Sequence, residues 1–217
     1  MHFDEVVERL AHGLSGSLPG AAAQAVLAPE PRRQWPDGFD PARVRHAAGL
    51  LLVFPIHRRA HLVLTVRADT LGRHGGQISL PGGVVDPGET IEQAALREAH
   101  EEVALPTADP RILGSLTPLD IPVSGFRLHP VVAVMSRRPA LRAADGEVAG
   151  ILEIAVDDLL DRACLVSSKR ERDGCTLLVP AFHVRGHEIW GATAMVLAEF
   201  LAVLGWDPRR PGSIAGL

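Results

Sequence analysis

Two neighbouring apolar runs constrain the fold of this chain more than any other feature of its sequence. Residues 47–56 read AAGLLLVFPI, a continuous apolar stretch typical of a buried strand. Residues 60–68 (AHLVLTVRA) follow after a short His-Arg-Arg turn and have the same strand-forming character. Two such runs joined by so short a turn predict a β-hairpin, around which the rest of the chain must pack.

The remaining segments mix strands and helices without the regular alternation of a doubly wound sheet. Apolar residues recurring at helical spacing predict a helix over residues 1–15. Residues 16–45 are rich in Gly, Pro and Ala and predict an irregular arm, and residues 167–174 (SSKRERDG) predict a hairpin loop. Further helical segments are predicted at 91–105, 157–161 and 191–205, and further strands within 111–123, 126–136, 151–156 and 175–184.

Composition narrows the class of protein. The 217 residues are 47% hydrophobic, which is enough for one domain with its own core and argues against disorder. A net charge of -4 without a basic stripe is not typical of a protein that binds a nucleic-acid polymer. The N-terminal segment reads as an amphipathic helix and not as a signal peptide, and no apolar run is long enough to span a membrane. Two cysteines, Cys164 and Cys175, do not make a disulfide framework, so we expect a cytoplasmic protein.

The most informative stretch for function is a glycine-rich loop, residues 80–89, that leads into an acidic helix. On that helix Glu98, Glu101 and Glu102 share one face, where like charges repel each other. A solvated surface could carry such a cluster, but three carboxylates converging from one helix also make an oxygen site suited to Mg²⁺ or Mn²⁺. The glycines would let a phosphate approach the backbone, and Thr90 is a candidate N-cap with Gln93 as its capping-box partner.

This stretch resembles the Nudix box, in which Gly, Glu and an Arg-Glu-apolar-x-Glu-Glu run stand at fixed separations. The resemblance implies an α/β/α sandwich around a mixed β-sheet, with a Nudix domain at 46–217 preceded by an N-terminal helix and arm at 1–45. It also implies hydrolysis of a nucleoside diphosphate linked to another group. The matching residues are Gly83, Glu89, Arg97, Glu98, Ala99, Glu101, Glu102 and Leu105, while Ala104 stands where the family usually has Gly.

The resemblance also implies a role for each matching residue. Glu98, Glu101 and Glu102 would bind Mg²⁺ or Mn²⁺ together with the carbonyl of Gly82, and Glu98 is a candidate to orient or deprotonate the attacking water. Arg97 would hold Glu89, which would act on the metal shell through water.

Many Nudix enzymes take a further carboxylate from a loop after the box. Glu147, in the segment ADGEVAG, is the candidate here, either as a metal ligand or as the general base. Glu153 and Asp157 are weaker rivals. An ordinary surface glutamate is the alternative interpretation of Glu147.

The residues before the box bear on the substrate. Residues 64–83 (LTVRADTLGRHGGQISLPGG) resemble the upstream signature of coenzyme A pyrophosphatases, with Leu80 replacing the usual Phe and the second Arg displaced by one position to Arg73. The resemblance implies coenzyme A as a small-molecule substrate, contacted by Arg67, Arg73, Gly76 and Gly83.

Two other interpretations remain open at this point. ADP-ribose, NADH or a dinucleoside polyphosphate could be the substrate of the same chemistry. A nucleotide-sensing module without catalysis belongs to another class, and the complete set of box glutamates argues against it.

Overall fold

The predicted hairpin is the centre of the fold. The computed structural model describes residues 1–68, 76–172 and 174–207. Strand β1 (Arg45–Ile56) pairs antiparallel with β2 (Arg59–Arg67). The two turn residues, His57 and Arg58, have φ values of 47° and 67°. Left-handed conformations at both turn positions match the twist of the flanking strands, which is why so short a turn closes this hairpin.

Around the hairpin, eight strands of the described residues form one mixed sheet. Its central order is β3-β2-β1-β7-β5, with β4 paired to β1, β6 to β7 and β8 to β2. Strands β1 and β7 run parallel, whereas the other pairs are antiparallel. The remaining strands of this sheet are β3 (Ile78–Ser79), β4 (Gly82–Val84), β5 (Arg111–Ser115), β6 (Leu119–Ile121), β7 (Phe126–Val134) and β8 (Val148–Ala155).

Helices cover both faces of this sheet. Because side chains alternate along a strand, Leu50 and Leu52 of β1 pack on one face, and Leu51 and Val53 pack on the other. The first face meets α3, and the second meets α1 and α5. Burial on both faces explains why β1 is a continuous apolar run and confirms the predicted α/β/α sandwich. The helices are α1 (Phe3–Leu14), α2 (Gly20–Gln24), α3 (Ile91–Val103), α4 (Val156–Leu160) and α5 (Gly191–Val203).

A second, three-stranded antiparallel sheet has the order β11-β10-β9 and comprises β9 (Leu165–Arg172), β10 (Cys175–Val184) and β11 (His187–Trp190). The prediction of a hairpin loop over 167–174 is therefore wrong for most of its length. Along β9, exposed Ser167, Lys169 and Glu171 alternate with half-buried Ser168 and Arg170. This period of two is typical of a strand, but the polar side chains on both faces hid it from a hydrophobicity pattern.

The arm at 16–45 is more ordered than its composition predicted. It contains α2 and two single turns of 3₁₀ helix, Ala25–Leu27 and Pro41–Arg43. Glu30 exchanges two backbone hydrogen bonds with Leu178 of β10, at 2.9 and 2.8 Å. Contacts with distant strands and helices thus order a segment that lacks a periodic pattern of its own. Among the described residues, no helix combines the length and apolar character needed to cross a membrane.

Candidate active site

The acidic helix α3 has well-defined ends. Its N-cap Thr90 accepts a hydrogen bond from the Gln93 N–H at 3.2 Å, and the Gln93 side chain accepts one from the Thr90 N–H at 2.9 Å, so the predicted capping box is present. At the other end Ala104 adopts the left-handed conformation, with φ 56° and ψ 33°. An alanine there costs about 1 kcal/mol relative to glycine, yet the chain turns as a glycine would turn it.

The two glycines before the helix are required by close packing. A Cβ on Gly82 would overlap the carbonyl oxygen of Ala48 in β1, and a Cβ on Gly83 would overlap the carboxylate of Glu98. The absence of side chains at these positions therefore lets β4 pack closely against both β1 and α3. The backbone at Gly83 thereby contacts the carboxylate of Glu98 on α3.

The backbone of Gly82 points towards the helix and away from β1. Leu50 N–H donates to the Pro81 carbonyl, and Val85 N–H donates to the His46 carbonyl. Since hydrogen-bonded pairs alternate along an antiparallel ladder, Gly82 stands opposite Gly49 in a non-hydrogen-bonded pair. Its N–H donates instead to Glu102 Oε2 at 3.1 Å, and its carbonyl is directed to the same side of β4.

Arg97 ties the loop to the helix with all of its guanidinium donors. Its Nε and Nη2 donate to the two carboxylate oxygens of Glu89 at 2.9 and 3.1 Å, and Nη2 also donates to the Val84 carbonyl at 2.9 Å. Its Nη1 donates to Glu98 Oε1 at 2.9 Å and to Glu101 Oε2 at 3.1 Å. One cation thereby offsets three carboxylates, which explains how the like charges stay close together.

These contacts shift the titration of both partners. The hydrogen bond from Arg97 lowers the pKa of Glu89, and the bond to Glu89 raises the pKa of Arg97 above its ordinary value. The pair therefore stays ionised at every pH at which the protein would be assayed, and the loop remains attached to α3.

Glu102 has a different environment. Its side chain is buried, and burial raises its pKa to about 7. The Gly82 N–H lowers the pKa, the neighbouring Glu98 raises it, and the charges of Arg67 and Glu147 lower and raise it respectively. These four residues thus lie within electrostatic reach of Glu102, although they come from separate parts of the sequence.

The loop that carries Glu147 folds onto the end of α3. Ala144 N–H donates to the Glu102 carbonyl at 2.9 Å, and Ala68 N–H donates to the Glu147 carbonyl at 3.0 Å. The exposed Glu147 side chain therefore lies near the end of β2, beside Arg67 and the acidic helix. The rivals are engaged elsewhere, because Glu153 pairs with Arg138, and Asp157 pairs with Arg59 and the N-terminal amine.

The donor set fits a hard divalent cation. Carboxylates and backbone carbonyls are the oxygen ligands that Mg²⁺ and Mn²⁺ prefer, and buried Glu102 lacks a cation in contact with it within the described chain. In that part of the chain, no group of three or more His, Cys, Asp or Glu side chains is arranged so that it could hold a metal ion. The Arg97 contacts use Oε1 of Glu98 and Oε2 of Glu101, which leaves the other oxygen of each carboxylate outside those contacts.

A cleft of about 860 Å³ opens beside Gly82, Gly83 and Arg67. This volume lies in the range of small-molecule binding sites. Its walls come from the arm, the loop after β6, the second sheet and the start of α5. Apolar residues and arginines line it together, including Leu80, Leu128, Leu177 and Met195 and the cations Arg32, Arg33 and Arg170. A second cavity, of about 640 Å³, lies beside β8 and β10 and is lined by the rival candidate Glu153 but by no residue of the acidic helix.

Of the substrate residues predicted from the upstream signature, Arg67, Gly76 and Gly83 lie within the residues that the structure describes. Arg67, half-buried at the end of β2, lines the cleft. Gly76 has φ 72° and donates its N–H to the Arg67 carbonyl at 2.9 Å, which brings the loop back to β2. Arg73 lies outside the described residues.

Sequence reasoning did not identify Arg32 and Arg33 as residues that line the cleft. Arg32 and Arg33 belong to the arm, where the only available signal was their adjacency in EPRRQW. Arg170 lies in residues 167–174, for which a solvated turn was the preferred interpretation over contact with a 3′-phosphate. Its guanidinium in fact lies 4.2 Å from the centre of the Trp190 ring, with Nη2 2.9 Å from Glu188 Oε1.

A family model described as the NUDIX domain matches residues 44–171. The chain belongs to the Nudix family. Its Nudix relatives include the protein called Uncharacterized Nudix hydrolase NudL in Enterobacter sp. (strain 638), which is 33% identical over 165 residues, or 76% of this chain and 85% of that protein. The protein of the same name in Yersinia enterocolitica is 35% identical over 153 residues, or 70% and 78% of the two chains.

Among solved structures, a Nudix hydrolase from M. smegmatis, RenU, is similar over 54% of this chain and 73% of its own, with 28% identity and a TM-score of 0.42. The NUDIX-domain match and the NudL relatives make this chain a Nudix hydrolase, and small nucleotides are the substrates to consider for it.

Proposed function

We propose that this Nudix hydrolase cleaves the pyrophosphate bond of coenzyme A, with Mg²⁺ or Mn²⁺ as cofactor. The products would be 4′-phosphopantetheine and adenosine 3′,5′-bisphosphate. The observation that carries the proposal is the cleft lined by Gly82 and Gly83, of which Gly83 packs against the Glu98 carboxylate. Its combination of arginines and apolar side chains suits a ligand that has several phosphates and a long, weakly polar tail.

Glu98, Glu101, Glu102 and the Gly82 carbonyl would hold the cation. When bound, a divalent cation neutralises phosphoryl oxygens and lowers the pKa of water. Two observations support this assignment. The Gly82 backbone faces Glu102, to which its N–H donates a hydrogen bond. Burial raises the pKa of Glu102, and a cation there would compensate a carboxylate that burial disfavours in its charged form.

The other residues of the site would position groups and move a proton. Arg97 keeps Glu89 and Glu98 in place through its bonds to both. Water adds to one phosphorus of the anhydride, the bridging P–O bond breaks, and a carboxylate accepts the proton of the water. Glu98 and Glu147 are the candidates for that carboxylate, since both lie close enough to Glu102 to affect its pKa.

Coenzyme A is favoured as the substrate by the resemblance of residues 64–83 to the upstream signature. Arg67 and Gly82 both line the cleft, where Arg67 could contact the pyrophosphate. The Gly76 N–H donates a hydrogen bond to the Arg67 carbonyl. Arg73 would assist from the same loop. Apolar side chains such as Leu128 and Met195 would accommodate the pantetheine arm.

A substrate panel tests the proposal. The protein is incubated with Mg²⁺ or Mn²⁺ and, separately, with coenzyme A, ADP-ribose, NADH and a diadenosine polyphosphate, and the products are identified by mass spectrometry. We expect the highest kcat/KM for coenzyme A, with adenosine 3′,5′-bisphosphate as a product. A preference for ADP-ribose would refute the substrate but keep the chemistry, and tight binding without any turnover would indicate a nucleotide sensor.

A further inference from the structure

The N-terminal arm contributes a wall of the substrate cleft. The cleft is lined by Pro29, Pro31, Arg32 and Arg33 together with elements of the Nudix core. Contacts on both sides of this short segment hold it, so the path of its backbone is defined by the fold. An element with no recognisable motif therefore contributes two cations to the cavity that opens onto the candidate active site.

A buried glutamate of α5 anchors the arm before this segment. Glu199 is fully buried and accepts hydrogen bonds from the Gly20 N–H at 3.1 Å and from the Gln24 side chain at 2.8 Å. It also accepts one from the Thr117 hydroxyl at 2.7 Å. Helix α2 is thus fixed to α5 and to the loop before β6.

Two further contacts fix the arm, one just before Arg32 in the sequence and one just after it. Glu30 is hydrogen-bonded through its backbone to Leu178 of β10, and Trp35 donates a side-chain hydrogen bond to Asp120 while stacking on Phe39 with ring centres 4.4 Å apart. Arg32 lies between these two anchors. Its backbone is therefore held in place while its side chain is exposed.

Arg32 adds positive charge to the cleft. Asp120, whose pKa the charge of Arg32 helps to lower, is already paired with Arg127, whose Nε and Nη2 lie 2.7 and 3.1 Å from the carboxylate oxygens. The charge of Asp120 is offset by that pair, so Arg32 contributes attraction for an anion at the wall.

Arg170 adds a second guanidinium to the same cavity. It is stacked on Trp190 and bonded to Glu188, so it is preorganised, and its side chain remains 33% exposed. A planar guanidinium held in this way loses little conformational entropy when it binds an oxyanion.

We infer that Arg32, with Arg170, forms a second anion subsite that binds a phosphate monoester of the nucleotide, separate from the pyrophosphate that is cleaved beside Gly82 and Gly83. This inference rests on the proposed function, and in coenzyme A the group concerned is the 3′-phosphate. The N-terminal arm then acts as a specificity element, because it selects nucleotides that carry this additional phosphate.

The kinetic test compares coenzyme A with 3′-dephospho-coenzyme A, which lacks only that group. We expect Arg32→Ala to raise KM for coenzyme A about 5- to 10-fold, as for the loss of one exposed charge-assisted contact, with kcat unchanged. KM for the dephosphorylated substrate should change less than about 2-fold. Arg43→Ala removes the same charge from the same arm outside the cleft, and it should alter neither KM.

A binding test separates failure of this inference from failure of the proposed function. Calorimetry without metal compares adenosine 3′,5′-bisphosphate with adenosine 5′-monophosphate, on wild type and Arg32→Ala. We expect wild type to bind the bisphosphate more tightly and the variant to lose that preference. If coenzyme A is hydrolysed but the variant shows no selective loss, the subsite is refuted and the function stands. If another substrate is hydrolysed and the preference still depends on Arg32, the function falls and the subsite stands.

Discussion

Two buried glutamates on opposite faces of the sheet make different use of the same side chain. Glu199 of α5 accepts hydrogen bonds from Gly20, Gln24 and both donors of Thr117. Glu102 of α3 accepts one from the Gly82 N–H and lies near the like charges of Glu98 and Glu147. The first carboxylate is satisfied by protein donors, whereas the second is left with capacity to bind a cation.

The difference shows how burial can serve structure or chemistry. A buried carboxylate surrounded by donors ties elements together, and its removal leaves those donors without a partner. A buried carboxylate surrounded by other carboxylates destabilises the fold in its charged form until a cation compensates it. Matched Glu→Gln substitutions, which remove a charge and keep the shape, separate the two roles.

The largest effect is expected from Glu102→Gln on catalysis. The amide oxygen can still accept the Gly82 N–H, so the fold should be kept, but a charged metal ligand is lost. We expect kcat to fall at least about 100-fold with saturating Mg²⁺, while circular dichroism stays unchanged. Near-normal turnover would refute Glu102 as a metal ligand.

The matched change on the other face, Glu199→Gln, should act on stability. One carboxylate oxygen is replaced by an NH2 group, which would face the donor of Gln24 or those of Thr117 in place of an acceptor. We expect the free energy of unfolding to fall by about 2 kcal/mol, measured by urea denaturation. A variant as stable as wild type would show that the arm is not anchored through this carboxylate.

An effect on stability of similar size is expected from pH on the metal-free protein. The pKa of Glu102 is raised to about 7 in the fold, so the folded state binds its proton more tightly than the unfolded state does. That stabilising contribution is complete below the ordinary pKa of a glutamate and is lost as pH rises through about 7.

With EDTA present, wild type should therefore lose up to roughly 3 kcal/mol relative to Glu102→Gln between pH 4.5 and pH 8. Added Mg²⁺ should remove most of this difference at pH 8, because it stabilises the ionised carboxylate. Parallel stability curves for the two proteins would contradict the raised pKa.

The mildest test compares two thiols, one in the core and one in the cleft. Burial raises the pKa of Cys164 to about 12, whereas Cys175 is exposed and lines the cleft. We expect N-ethylmaleimide to modify Cys175 alone, as read by mass spectrometry, and adenosine 3′,5′-bisphosphate to slow the reaction. A Cys175→Ser variant should stay unlabelled, and equal labelling of both thiols in wild type would contradict the description of the core.

Features that depend on neighbours in sequence could be predicted from the sequence. The hairpin of β1 and β2, the capping box at Thr90 and the three glutamates on one face of α3 follow from patterns a few residues long. The resemblance to the Nudix family was likewise evident from one contiguous stretch, residues 83–105. Such features are readable because helical and strand periodicity place side chains without reference to the rest of the fold.

Features that depend on distant partners required the tertiary structure. Strand β9 exists because β10 supplies its hydrogen bonds, and the arm is ordered because Glu199 and β10 hold it. Glu147 approaches Glu102 because the loop before β8 folds onto the end of α3. The sequence by itself determined the acidic helix and the family, whereas long-range hydrogen bonds decided which arginines line the cleft, since no local pattern specifies such contacts.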